Sequence, residues 1–151
     1  MMETTLCYLE QDGKYLMLYR NAKASDPNKG KWIGVGGKIQ PGETPDECLV
    51  REVKEETGLT LTTYQYRGII YFKSDVYPDE TMHLYTATAW KGTLTECDEG
   101  QLRWVEKKNL ETLPMWEGDL VFLRTLDRNH AFFRLTLNYQ NERLISTQLE
   151  C

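Results

Sequence analysis

The apolar positions change period several times along the 151 residues, and each change marks an element. Thr4–Leu9 alternates, Gln11-Asp12-Gly13-Lys14 has turn composition, and Tyr15–Tyr19 (YLMLY) is apolar again, which predicts a hairpin. Asn21–Lys31 is polar, with Asp26-Pro27-Asn28 and Gly30, and predicts a loop leading to a short strand at Trp32–Val35. Past the next helix, Thr60–Tyr66 continues to Phe72 as a strand pair or one bent strand broken near Gly68. Thr81–Trp90 is the clearest strand, Leu102–Val105 a short extended piece, and Lys107–Leu113 a turn or single helical turn. Trp116–Leu126 predicts a helix with Leu120, Leu123 and Leu126 on one side. Phe132–Tyr139 and Arg143–Leu149 flank Gln140-Asn141-Glu142 as a second hairpin. With no repeat, linker or low-complexity tract, residues 1–151 read as one α/β domain, an α/β/α sandwich with a mixed central sheet.

The remaining helix is the most sharply bounded. Thr44 is a capping residue, Pro45 suits the first helical position, Glu47 completes a capping box, and Gly58 can take the left-handed conformation that ends a helix. That predicts a helix over Pro45–Thr57. At 100° per residue, Leu49, Val50, Val53 and Thr57 share the arc for the core. Glu52, Glu55 and Glu56 share a second arc, while Glu47 and Lys54 point to solvent. Like charges at i,i+4 destabilise a helix by about 0.2–0.5 kcal/mol per pair, and the macrodipole late in a helix favours cations. A bare ExxEE is most simply a solvated acidic face, and a hard divalent cation would turn the same three carboxylates from a cost into a binding site. Arg51 is placed to orient one of them. The loop before the helix carries Gly36, Gly37 and Gly42, where backbone can approach a ligand closely.

Composition narrows the partners. A net charge of −5 argues against a nucleic-acid polymer or an anionic membrane as partner. Cys7, Cys48, Cys97 and Cys151 have no metal or redox spacing and read as reduced thiols of a cytoplasmic protein. No histidine is near Cys48 in sequence to activate it as a nucleophile. His83 and His130 are the two histidines, and His83, inside a strand, reads as structural. There is no signal-peptide pattern and no apolar run long enough to span a bilayer.

Gly37, Glu43, Arg51, Glu52, Glu55, Glu56 and Gly58, with aliphatic Val53 and Leu59, follow G-x5-E-x7-R-E-U-x-E-E-x-G-U, where U is aliphatic. From average residue usage, chance produces such a match about once in 10^9 starting positions. On these residues the chain resembles the Nudix hydrolases, and the resemblance implies the Nudix fold. It also implies hydrolysis of a nucleoside diphosphate linked to another group, with Mg2+ as cofactor and Mn2+ as its substitute. Glu52, Glu55, Glu56 and the Gly36 carbonyl would be metal ligands, Arg51 would support them, and Lys38 would meet phosphate. Glu55 or Glu56 would be the general base.

GKWIGVGGK (Gly30–Lys38), CDEG (Cys97–Gly100) and MWEGD (Met115–Asp119) extend the likeness to MutT-type 8-oxo-dGTP diphosphatases, in particular a bacterial MutX-like branch. That likeness makes Glu99 a further metal ligand and places Trp116 and Asp119 at the purine base. Arg20 and Lys23 flank the preceding loop and would meet a triphosphate tail. Two positions depart from relatives of the eukaryotic sanitising enzyme: Ile33 stands where they carry Asn, and Gly118 where they carry a second Asp. The implied partner is a small nucleotide, with the protein a monomer or homodimer. The alternatives are a Nudix hydrolase for ADP-ribose, a dinucleoside polyphosphate or plain dNTPs, or a non-catalytic nucleotide-binding module.

Overall fold

Strand β1 (Met2–Gln11) and strand β2 (Lys14–Arg20) form the expected hairpin but pair only at Glu10–Tyr15 and Gln11–Lys14. The computed structural model describes residues 2–21, 26–128 and 131–151, so Lys23 and His130 lie outside the described residues. Beyond those two pairs the hairpin splays, and residues 32–39 fill the gap. Strand β3 (Trp32–Ile33) pairs with Tyr19 and Leu18 of β2. The chain then changes sides: Val35 exchanges both backbone bonds with Cys7 (2.7 and 3.0 Å), Thr5 N–H donates to Gly37 O (2.9 Å), and Ile39 N–H donates to Glu3 O (3.0 Å). This switch of partner at Gly34 is why the expected strand through Val35 shortens to two residues.

Strands β4 (Thr60–Ser74), β5 (Glu80–Lys91), β6 (Gly100–Glu106), β7 (Phe133–Gln140) and β8 (Arg143–Glu150) complete the described sheet. The order is β3-β2-β1-β5-β4-β7-β8, with β6 also paired to β2. The β1–β5 and β4–β7 pairs are parallel and the rest antiparallel, so the sheet is mixed as expected. The segment 60–72 is part of one strand, and register shifts around Leu61–Tyr64 and Tyr66–Gly68 absorb its bend.

Helix α1 (Pro45–Thr57) covers one face of the sheet, over Cys7, Leu9, Leu16, Leu18, Tyr85 and Ala87. Helix α2 (Glu117–Arg128) covers the other, over Leu6, Tyr8, Met17, Leu84, Leu135 and Leu137. Alternate residues of β1 and β2 serve opposite cores, so residues 4–9, expected to alternate, are buried on both faces. The result is the expected α/β/α sandwich. Lys107–Thr112 is a 3-10 turn with Leu110 buried. No helix among the described residues is long and apolar enough to cross a membrane.

Both ends of α1 fall where the capping signals put them. Thr44 Oγ1 accepts from Glu47 N–H (3.1 Å), Glu47 Oε1 accepts from Thr44 N–H (2.9 Å), and left-handed Gly58 donates to Lys54 O (2.9 Å). The buried face is Cys48, Leu49, Val53, Glu56 and Thr57. Val50 is only half-buried, and Cys48 takes its expected place because its thiol packs under the preceding loop. There it meets Thr5 Oγ1 (3.3 Å) and donates toward Lys38 O (3.5 Å) and Gly37 O (3.6 Å). Thr44→Ala removes one arm of the box and should lower unfolding stability by about 1 kcal/mol, read as a shifted denaturant midpoint with unchanged slope.

Candidate active site

The three carboxylates of α1 meet three environments rather than one shared face. Glu56 is 6% exposed, and its Oε2 accepts from the Gly36 amide at 2.9 Å. Burial, followed by a hydrogen bond with the adjacent Glu99 carboxyl, pushes its pKa up to about 9, so the pair holds a proton. Glu52 is half-buried, and burial raises it as well. Glu55 stands in solvent, with Arg51 Nη1 at 3.3 Å. A rotation of 100° per residue puts Glu56 under the loop and leaves Glu55 outside it.

The loop approaches these groups closely. A Cβ on Gly37 would stand 2.5 Å from the Glu52 carboxyl carbon, and one on Gly36 would stand 1.9 Å from the Thr5 carbonyl oxygen. Gly36 was expected to offer its carbonyl; it meets the acidic cluster through its N–H, which donates to Glu56. Arg51 ties the cluster together. Its guanidinium grips Glu43 by two bonds (2.7 and 2.9 Å) and Glu52 by one (2.8 Å), and Nη2 reaches Lys38 O (3.2 Å). The Arg51 hydrogen bond holds Glu43 down at about 2.

Glu99 comes from the loop before β6, where Gly100 pairs with Arg20. Arg20 Nη1 bonds Glu99 (3.2 Å) and its Nε bonds Asp26 (2.7 Å). The arginine expected at a phosphate tail is therefore already engaged by two carboxylates, while Lys38 is exposed. Among the described residues no three His, Cys, Asp or Glu side chains stand close enough to hold a metal ion as they are. The donors that gather here are nonetheless all oxygen: Glu52, Glu56 and Glu99. They suit a hard divalent cation, which would take the place of the proton between Glu56 and Glu99.

A second cluster lies on the α2 side. Trp116, just before the helix, is 8% exposed and donates Nε1–H to Asn28 Oδ1 (2.7 Å). Phe72, Tyr77 and Tyr139 meet it in T-shaped contacts at 6.1, 6.0 and 5.4 Å between ring centroids. Lys31 Nζ lies over the indole, 4.4 Å from its centroid. Asp119 is 8% exposed, and no hydrogen-bond donor reaches its carboxyl among the described residues. Burial, then the charge of Glu80, raises Asp119 to about 8, with Lys31 opposing. Tyr77 Oη donates to Glu142 (2.5 Å) and Asn141 N–H donates to Asp75 (3.0 Å), so the tip of the β7–β8 hairpin clasps the β4–β5 loop beside Trp116.

The structure separates Ile33 from this cluster: it packs into the α1-side core, on the opposite face of the sheet. The bare position at 118 also has a cause. A Cβ there would lie 2.5 Å from Leu137 Cδ1 and 2.7 Å from Tyr139 Oη, and Gly118 N–H donates to that hydroxyl at 2.6 Å. Lys31 and Glu80 escaped the sequence reading. One looked like the end of a polar loop, and the other acts on Asp119 only because β5 sets it beside Phe72.

Two substitutions test this geometry. Gly37→Ala should fold with near-normal melting yet lose most hydrolytic activity, because the Glu52 carboxylate has to move away from the new methyl. Asp119 holds in the folded state a proton that the unfolded chain loses near pH 4. Its contribution to stability is therefore full below about pH 4 and lost as pH rises to about 8. The stability gap between Asp119→Asn and wild type should shift in favour of the variant over that window and level off above it, as read by denaturant unfolding at a series of pH values.

Comparison with known proteins agrees with the fold and the box. The NUDIX domain model matches residues 2–126. The chain is 33% identical over 132 residues to the oxidized purine nucleoside triphosphate hydrolase of Danio rerio, covering 85% of this chain and 81% of the relative. It is 30% identical over 128 residues to the CTP pyrophosphohydrolase of Escherichia coli strain K12, covering 82% and 89%. The MutT protein from Bacillus halodurans superposes with a TM-score of 0.87 at 26% identity, over 99% of this chain and 98% of that one. With a family match across six strands, α1 and most of α2, and relatives aligned over most of their length, this chain belongs to the Nudix hydrolases.

Proposed function

We propose that this protein is a Mg2+-dependent nucleoside triphosphate pyrophosphohydrolase of the cytoplasm, acting on 8-oxo-dGTP to release 8-oxo-dGMP and pyrophosphate. The observation that carries the substrate is the Asp119 carboxyl: buried, without a hydrogen-bond donor, beside the Trp116 indole. No donor among the described residues reaches this carboxyl, and a base offering ring N–H or amino groups would supply one. Base stacking on an aromatic side chain adds about 1–3 kcal/mol. The zebrafish relative, which acts on oxidized purine nucleoside triphosphates by its name, supports the same reading.

Glu52, Glu56 and Glu99 would hold Mg2+, or Mn2+ in its place. When bound, the ion neutralises phosphate charge and lowers the pKa of water. The chain supplies the rest. Arg51 keeps Glu52 aimed inward through one guanidinium bond. The Gly36 amide fixes the Glu56 carboxylate. Glu55, exposed and bonded to the Arg51 guanidinium, takes the proton from the attacking water as general base. Lys38, free at the loop, meets phosphate oxygens.

A pyrophosphate-release screen tests this across dNTPs, 8-oxo-dGTP, CTP, ADP-ribose and dinucleoside polyphosphates. The highest kcat/KM should fall on 8-oxo-dGTP; a clear preference for another compound overturns the substrate. Glu56→Gln should fold and lose about 100-fold or more in kcat, and near-normal turnover would remove Glu56 from the ion.

A further inference from the structure

Lys31 is held beside Trp116 by its backbone. Its N–H donates to Asn28 O (2.9 Å), its carbonyl accepts from Arg20 N–H (3.0 Å), and the next amide, of Trp32, donates to Pro114 O (2.8 Å). These bonds stitch the loop before β3 to the segment before α2 and set the ammonium over the Trp116 indole at 4.4 Å from the centroid. None of the ion pairs among the described residues includes Lys31. Asp119, three residues past Trp116, accepts no hydrogen bond on its carboxyl among the described residues and feels Lys31 only through space. A cationic donor over the indole and a carboxyl one helical turn along the chain thus stand near each other without bonding, and a planar base that displaced the ammonium from the ring face, and the proton from Asp119, would meet both at its edge.

We propose that Lys31 is a specificity-determining residue: its ammonium donates to the O6 carbonyl of a guanine-type base while Asp119 accepts from N1–H and the 2-amino group. The proposal rests on the nucleotide reading above and goes past it in naming the keto-purine edge and the residue that selects it. Lysine meets guanine at O6 and N7, both acceptors, whereas adenine sets amino hydrogens at the equivalent place and repels an ammonium. The Asp119 carboxyl alone does not make that choice, since it accepts from the amino groups of guanine and adenine alike.

The test measures dissociation constants of dGMP and dAMP by calorimetry in EDTA, so that neither metal nor turnover enters. The proteins are wild type, Lys31→Met, which keeps an apolar stem over the indole, and Lys31→Arg. Wild type should prefer dGMP. Lys31→Met should weaken dGMP roughly tenfold with dAMP unchanged or tighter, and Lys31→Arg should restore the preference. Equal weakening of both nucleotides would mean that Lys31 only covers Trp116, and no change would mean that it does not touch the base; either result overturns the proposal. If wild type hydrolyses deoxynucleoside triphosphates while Lys31→Met keeps the wild-type ratio, the Lys31 role alone fails. If wild type neither hydrolyses them nor binds either monophosphate, the nucleotide reading falls and takes the Lys31 role with it.

Discussion

Crowding of carboxylates is the constraint from which the site follows. Glu43, Glu52, Glu55, Glu56 and Glu99 come from a loop, a helix and a second loop and end within reach of one another. Left alone, like charges on neighbouring turns push a helix apart. Two devices hold them. One guanidinium, Arg51, bonds Glu43, Glu52 and Glu55 and a backbone carbonyl at once, and such charge-assisted bonds are the stronger kind. The other is a proton kept on the Glu56–Glu99 pair by burial and proximity. The cluster is thereby held together as part of the folded molecule despite its charge.

The two ends of the molecule were legible in the sequence to different degrees, for a physical reason. Helix α1 was found to the residue because capping is local: Thr44, Pro45, Glu47 and Gly58 act within one turn of where they stand. The strands were found because alternation, β-branched and aromatic content and turn residues are also local signals. What depends on pairing across the chain was not legible. That Residues 32–39 would leave β2 for β1 at Gly34 has no local signal. Nor does the arrival of Glu80 near Asp119, which depends on the β4–β5 register placing it beside Phe72.

The helix arc illustrates the same divide at smaller scale. Periodicity put Leu49, Val53 and Thr57 inside correctly, but it could not weigh Val50 against Cys48, because the loop carbonyls that draw the thiol inward come from residues 37 and 38. Likewise the sequence separates Glu52, Glu55 and Glu56 only by angle, and the descent of the loop decides which of them is buried. Gly118 appeared as a missing acid when set against relatives. In the fold it is a requirement, since Leu137 and the Tyr139 hydroxyl occupy the space a side chain would need.

The splayed β1–β2 hairpin has a dynamic consequence. Segments beside active sites are often among the first to open, because few backbone bonds tie them to the core. Here residues 35–39 serve as a surrogate strand for β1, through Val35–Cys7, Thr5–Gly37 and Ile39–Glu3. Lifting Gly36 and Gly37 off the acidic cluster would unzip the centre of the sheet. Local opening of this backbone should then cost nearly as much as global unfolding, so its amides would exchange with solvent on the timescale of the core and not of a loop. The rigidity that catalysis asks of its ligands is borrowed from the stability of the whole molecule.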